Sequence, residues 1–125
     1  MTAGQGAARH PHEELLRRSA QAVAAGALGR LRELHDEGVV VHYPGGVAHR
    51  GRAAVARLAT LGARLRTEFH DLLANDEHGV VLQTLRAERD GRTIEVHCAL
   101  VCHFRAGKIA EVWIHTDDPH ALEEL

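Results

Sequence analysis

Three polar residues in different parts of the chain are candidates for proton-transfer chemistry: His70, Tyr43 and Asp117. Histidine titrates near neutral pH, so His70 is suited to general acid–base catalysis. A phenol is a poor base at that pH, but it donates a hydrogen bond well to a developing oxyanion. Asp117 is an alternative acid or base that His115 could assist. We expect His70 to remove a proton beside a carbonyl group while Tyr43 stabilises the enolate.

Each candidate also has a purely structural interpretation. The ring of Tyr43 could simply fill the mouth of a cavity. His70 and the adjacent Asp71 could tie their strand to a neighbouring loop or helix. Asp117 is followed by Asp118 and Pro119, a sequence that favours a turn or the start of a helix. The residue types alone leave both interpretations open.

The chain has eleven histidines, but their spacing does not indicate a metal site. Divalent metals need three or four converging donors, often including two histidines one helical turn apart. No such helical pair is present. The closest pairs, His10 with His12 and His97 with His103, fall in a predicted tail and on a predicted outer face. We therefore expect no metal and no other cofactor.

Composition places the chain among small globular proteins. Its 125 residues suit one domain, with 45% hydrophobic and 26% charged residues. A net charge of -2 gives no field that would hold nucleic acid or an anionic membrane. There is no apolar run of about 20 residues and no secretory leader pattern, so we expect a cytoplasmic protein. Cys98 and Cys102 lie roughly 13 Å apart along a strand and are expected to be reduced.

The elements that position these residues follow from hydrophobic periodicity. Residues 1–11 show none and predict a flexible arm, so that 12–125 form a single domain. Helical spacing predicts three helices, and alternation predicts one short strand followed by four longer ones. The helices are expected from Glu13 to Gly26, from Ala27 to His35 and over 52–65, and the strands over 39–43, 67–75, 79–89, 93–105 and 108–117. This order predicts an α+β fold with helices on one face of a curved antiparallel sheet.

Alternation also sorts the strand residues by face. On the strand 93–105, Cys98, Leu100 and Cys102 share the apolar face that should look toward the helices. His97 and His103 point the other way, toward solvent or a dimer partner. Only four residues are aromatic, so small side chains must fill the core, which favours an internal space.

Several motifs in their order carry a resemblance to a known family. These are Val41-His42-Tyr43-Pro44-Gly45, Gly51-Arg52 opening a helix, the run from His70 to His78, and Gly107-Lys108-Ile109-Ala110-Glu111-Val112-Trp113 with Asp117. The sequence resembles the SnoaL-like branch of the nuclear transport factor 2-like superfamily, which is related to polyketide cyclases and ketosteroid isomerases. The resemblance implies a cone-shaped α+β barrel, with three helices and a strongly curved sheet enclosing an apolar cavity, in a homodimer. It also implies a recurrent acidic position at Asp117.

The same resemblance argues against the ketosteroid isomerase mechanism, which uses a carboxylate base, a tyrosine and a protonated carboxylic acid. In this sequence, Tyr43 occupies the position of the carboxylate base. Ser19 falls near the position of the isomerase's tyrosine, and Leu100 falls near that of its protonated carboxylic acid. Ile114 stands where limonene-type epoxide hydrolases need a carboxylate. Alignment with the family also turns Val112, Ile114 and Thr116 inward, unless a bulge reverses the strand.

These observations predict a protein that binds a small apolar organic molecule. The activity implied is a cofactor-free cyclase, isomerase or dehydratase acting on a polyketide-like or other apolar carbonyl compound. The alternative is a non-catalytic ligand-binding or dimerisation module of the same fold. Besides the three catalytic candidates, the expected ligand contacts are His42, Asp71, Cys98, Leu100, Cys102, Trp113, Ile114 and His115.

Overall fold

The structure is a computed structural model that describes residues 10–123. The helices are α1 (Pro11–Ala25), α2 (Leu28–Leu34), α3 (Gly51–Arg64) and α4 (Pro119–Glu123), and the strands are β1 (His35–His42), β2 (Ala48–Arg50), β3 (Arg66–Ala74), β4 (His78–Arg89), β5 (Arg92–Arg105) and β6 (Lys108–Thr116). The three predicted helices and the four long C-terminal strands are confirmed to within a few residues. None of the helices in 10–123 is long and apolar enough to cross a membrane.

Helix α1 begins earlier than its periodicity predicted. The side chain of His10 caps it by accepting a hydrogen bond from the backbone N–H of His12 at 3.1 Å. Pro11 occupies the first turn, where its missing N–H costs nothing. The predicted boundary of the N-terminal arm at residue 11 therefore moves toward the N-terminus, and residues 1–9 of that arm lie outside the described residues. At the other end, Gly26 adopts a left-handed φ of 63° and ends the helix.

All six strands form one sheet in the order β2-β1-β6-β5-β4-β3. The predicted α+β cone is confirmed, with helices on a curved sheet, and the sheet stays open because β2 and β3 are edges. Four of the five strand pairs are antiparallel, as predicted, but β1 runs parallel to β6. The turn Asp90-Gly91 joins β4 to β5 with both φ angles positive, the geometry that a two-residue hairpin needs.

Helices α1 and α3 pack closely over the concave face of the sheet. Their contact depends on Gly62, where an added Cβ would lie 1.8 Å from the carbonyl oxygen of Val23. The buried face of α1 contains Leu16, and that of α3 contains Val55. These side chains and the concave face of the sheet form the main core, and the helices cover the space inside the cone.

Candidate functional site

A cavity of about 90 Å³ lies between the helices and the concave face of the sheet. Its walls are mostly aliphatic and come from α1, α3, α4 and all strands except β2. One water needs roughly 10–15 Å³ on this kind of measure, so the cavity has room for a small organic molecule. It is smaller than the roughly 300–1,000 Å³ of pockets that hold drug-sized ligands. The oxygen- and nitrogen-bearing side chains in its lining are Ser19, His35, Tyr43, Thr67 and Gln83.

Tyr43 follows the last residue of β1, at the wide end of the cone. Its hydroxyl group is enclosed and has no hydrogen-bond acceptor among the described residues. The guanidinium carbon of Arg57 lies 5.3 Å from the centroid of its ring, and the ring of His49 meets it edge-on. Burial raises the pKa of the Tyr43 phenol, and the positive charge of Arg57 and a hydrogen bond from its guanidinium partly oppose this shift. The phenol therefore stays protonated at neutral pH and is available as a donor.

His35, at the start of β1, is a histidine in the cavity wall that is only 3% exposed. Its Nδ1 lies 2.7 Å from the carbonyl oxygen of Leu31, which can only accept, so Nδ1 carries the proton. Burial lowers the pKa of His35, while this hydrogen bond partly opposes the shift. The side chain is thus a neutral imidazole whose Nε2 has a free electron pair, the form that acts as a base.

The two residues lie at opposite ends of the cavity. An irregularity in β1 places His35 beside Ile109 and His42 beside Trp113, so eight residues of β1 lie along only five of β6. At about 3.3 Å per residue, the Cα atoms of His35 and Tyr43 are therefore roughly 16 Å apart, whereas a regular strand over the same residues would separate them by roughly 26 Å. A molecule in the cavity can therefore meet both a base and a phenol.

The two cysteines line the cavity as thiols. Both are free and buried, as predicted. Burial raises the pKa of the Cys98 thiol and raises that of Cys102 to about 12. Nucleophilic cysteines are thiolates, so these two side chains contribute apolar wall and not a nucleophile.

The structure divides the predicted site residues into two groups. The cavity is lined by Tyr43, Cys98, Leu100, Cys102 and Ile114, in agreement with the strand alternation. The remaining predicted residues lie on the outer, convex face of the sheet and do not contact the cavity; they are His42, His70, Asp71, Trp113, His115 and Asp117. The expectation that Tyr43, His70 and Asp117 share one site is therefore corrected.

A β-bulge explains the positions of His70 and Asp71. The register of β3 against β4 shifts between Phe69 and Asp71, so His70 is an extra residue. Its Nε2 lies 2.6 Å from Oγ1 of Thr84 on the outer face. After the bulge, Asp71 also faces outward, and its carboxylate accepts a hydrogen bond from the N–H of Leu72. Both side chains therefore have structural contacts, but with the adjacent strand and with the backbone of their own strand, not with the neighbouring loop or helix that the sequence suggested.

A bulge near the start of β6 leaves the rest of that strand regular. Val112 and Ile114 face inward, opposite Cys102 and Leu100, and Trp113 faces outward. The ring of Trp113 stacks on His42, with centroids 5.3 Å apart. His42, in turn, lies 2.5 Å from the carboxylate of Glu111.

Asp117 follows β6 and pairs with His97 on the outer face. Its Oδ1 accepts from the N–H of His97 at 3.0 Å, and its Oδ2 lies 2.9 Å from Nδ1 of the same residue. The pair raises the pKa of His97 and lowers that of Asp117. Together with His70 and His115 it borders a shallow groove of about 360 Å³. Over residues 10–123, no group of three or more histidine, cysteine or acidic side chains could hold a metal ion.

The sequence did not single out His35, and its arginines on the third helix, Arg57 among them, are most simply explained from sequence as a solvated face. His35 follows Leu31 by four residues, so it continues the apolar stripe of α2 and could have been identified as a polar residue at a buried position. Arg57 precedes Leu61 by four residues on α3, and both border the mouth of the cone. Its position there depends on how α3 crosses the sheet, which local spacing does not specify.

A curved, open sheet covered by helices around a mostly apolar cavity defines the class of cone-shaped α+β proteins. The family model for the SnoaL-like domain matches residues 16–112, and the chain belongs to this family, within the nuclear transport factor 2-like superfamily. A search of curated proteins finds no match.

Solved structures support the fold. Bal32a, from a soil-derived mobile gene cassette, is 27% identical with a TM-score of 0.80, over 91% of this chain and 95% of that one. A protein of Jannaschia sp. CCS1 assigned as a SnoaL-like polyketide cyclase is 21% identical with a TM-score of 0.75, over 90% and 92%. A loop-truncated variant of IdmH is 20% identical with a TM-score of 0.73, over 91% and 98%.

Proposed function

We propose that this protein binds a small, largely apolar organic molecule in the cavity, with a carbonyl or other acceptor group of the ligand at the hydroxyl of Tyr43. The observation that carries the proposal is this hydroxyl, which is enclosed at one end of an apolar cavity and has no acceptor among the described residues. A buried polar group without a hydrogen bond costs roughly 1–3 kcal/mol. A ligand acceptor would remove that cost and explain why a tyrosine stands there.

The cavity volume limits the ligand class. The similarity to a protein assigned as a polyketide cyclase supports a carbonyl compound as ligand. The space of about 90 Å³ favours a small ring or short chain over a polycyclic polyketide. We place the protein in the cytoplasm, which two free cysteine thiols support.

Cyclohexanone and cyclohexane provide a direct test of binding. We expect cyclohexanone to shift the methyl NMR signals of Val112 and Ile114, which line the cavity. In Tyr43→Phe, the affinity for cyclohexanone should fall about fivefold to tenfold, because one hydrogen bond of roughly 1 kcal/mol is lost. The affinity for cyclohexane should not fall. Unchanged methyl signals with both compounds would contradict the proposal.

A second candidate function is catalysis by proton transfer, in an isomerisation, dehydration or cyclisation of the carbonyl compound. The buried, neutral imidazole of His35 favours it, because His35 is the base that the cavity offers at neutral pH. His35 would take a proton from a carbon of the ligand, and the phenol of Tyr43 would stabilise the enolate oxygen by hydrogen bonding. This assignment replaces His70 as the proposed base.

Hydrogen–deuterium exchange tests this second function apart from binding. Enolisation of bound cyclohexanone in D₂O would exchange its α-protons faster than buffer does. We expect His35→Gln, which keeps a donor for the Leu31 carbonyl, to remove the acceleration. A rate equal to that of buffer for the unmodified protein would leave ligand binding as the function.

The outer face of the sheet supports a further proposal, that two copies of the chain associate through it. Leu73 and Leu82 on this face are 58% and 41% exposed. The apolar area continues from these two leucines toward β1 through Val80, Val101 and Trp113. Sedimentation of the unmodified protein and of Leu82→Asp tests the association, which the introduced charge should abolish.

A further inference from the structure

A second cavity of about 130 Å³ lies at the mouth of the cone, directly outside the apolar one. Tyr43, Leu61 and Leu122 belong to the linings of both, so the two spaces adjoin. The outer space is bordered on its remaining sides by Pro44, Val47, His49, Arg57 and Pro119. A ligand in the inner cavity would therefore have a second environment at its outer end.

The mouth has the character of an anion site. Among the residues that the structure describes, the eight that line it include one permanent cation, Arg57, and no carboxylate. Some arginines have acidic partners, such as Arg86, which lies 2.6 Å from Glu95 and 3.3 Å from Glu68, and others, such as Arg64, have none among the described residues. Arg57 has no such partner in the part of the chain that the structure describes.

The positions of the polar groups are compatible with a single negatively charged group. The guanidinium of Arg57 lies over the ring of Tyr43, with its carbon 5.3 Å from the centroid. His49 contacts the same ring from its edge, also with centroids 5.3 Å apart. The Tyr43 hydroxyl, which still needs an acceptor, belongs to the same group. A planar carboxylate can accept from a guanidinium and a phenol at once because it has two oxygens.

We infer that the ligand is an amphiphilic carboxylic acid, whose apolar part occupies the inner cavity and whose carboxylate is held at the mouth by Arg57, with Tyr43 and His49 beside it. The inference rests on the proposed binding function and specifies its ligand class. Arg57 is a specificity residue in this account, since an uncharged ligand of the same shape would gain nothing from it.

Hexanoate and its methyl ester distinguish the inference from the proposed function. Both have the same aliphatic chain, and only hexanoate is charged. Measured by isothermal titration calorimetry at pH 7.5, we expect hexanoate to bind about fivefold to tenfold more tightly than methyl hexanoate. The preference should decrease in 0.5 M NaCl, because the charged contact is partly exposed and salt screens it.

Two arginine variants show which cation is responsible. Arg57→Gln should remove the preference for hexanoate and leave methyl hexanoate binding unchanged. Arg64→Gln is the matched control, because Arg64 is an exposed arginine on the same helix that does not border the mouth. It should leave both affinities unchanged.

The outcomes separate the two claims. If methyl hexanoate binds and hexanoate binds no more tightly, or if the preference survives Arg57→Gln, the carboxylate inference is wrong and the binding function stands. If neither compound binds and cyclohexanone does not bind either, the binding function itself is wrong. A preference lost in Arg57→Gln and kept in Arg64→Gln supports both.

Discussion

Replacing Tyr43 with phenylalanine should stabilise the protein without ligand while weakening the binding of a ketone. The hydroxyl is enclosed and has no acceptor among the described residues, so the folded state bears a desolvation cost of roughly 1–3 kcal/mol that phenylalanine avoids. The ring itself stays, so its contacts with Arg57 and His49 are kept. Because phenylalanine also loses the hydrogen bond that the phenol oxygen accepts from Arg57, we take about 1 kcal/mol, the lower end of that range, as the gain. For a chain of this length, that raises Tm by roughly 3–5 °C.

Differential scanning calorimetry measures the shift, and Thr84→Val provides a control of opposite sign. The hydroxyl of Thr84 is as deeply buried, but it has a partner, Nε2 of His70 at 2.6 Å. Removing a satisfied hydroxyl should cost about 1 kcal/mol and lower Tm by a similar amount. A lower Tm in Tyr43→Phe would show that its hydroxyl is satisfied without a ligand, and the argument for a binding role would fail.

Three further predictions concern the packing, the buried histidine and the outer face. Gly62→Ala should lower the urea midpoint by an amount equivalent to at least about 2 kcal/mol, because its Cβ would meet the backbone of Val23. Gly29→Ala, which has open space around it, should be neutral or stabilising. Equal effects of the two substitutions would contradict the close helix contact. Because burial lowers the pKa of His35, this side chain takes up its proton at a higher pH in the unfolded chain than in the folded one. The free energy of unfolding should therefore fall as pH decreases below about 6.5, by at most about 1.4 kcal/mol per pH unit. Urea titrations at pH 7.5 and 5.5 should show a smaller loss of stability in His35→Gln, and an equal loss would refute the assignment of His35 as a buried, neutral histidine. Because the pair with Asp117 raises the pKa of His97, the outer face gains positive charge on both copies as the pH falls from 7.5 to 6, so association through this face should weaken in sedimentation experiments; a constant oligomeric state would contradict this.

Local patterns predicted most of the fold. The change from helical spacing to alternation after Leu65 separates the helices from the long strands, and the Asp90-Gly91 turn specifies a hairpin. The parallel pairing of β1 with β6 could not be predicted, because hydrophobic alternation does not specify which strand an N-terminal strand will join. The short strand β2 lacks an alternating pattern of its own and depends on its pairing with β1.

The candidate site was only partly predictable for the same reason. Alternation correctly assigned Cys98, Leu100 and Ile114 to the cavity, because that rule depends only on backbone geometry. His70 and Asp117 were selected for their chemistry, and alternation turns both outward, because Phe69 and Ile114 on the same strands face the cavity. The role of His35 depends on its burial beneath other elements, which only the tertiary structure shows.

A crystal structure of the protein grown with cyclohexanone tests the central claim most directly, that the enclosed hydroxyl at the end of the cavity binds a ligand acceptor. We predict electron density for the ketone within the cavity, with its oxygen about 2.7 Å from Oη of Tyr43. A cavity without the ketone, with the Tyr43 hydroxyl bonded to water or to a protein group, would contradict the account.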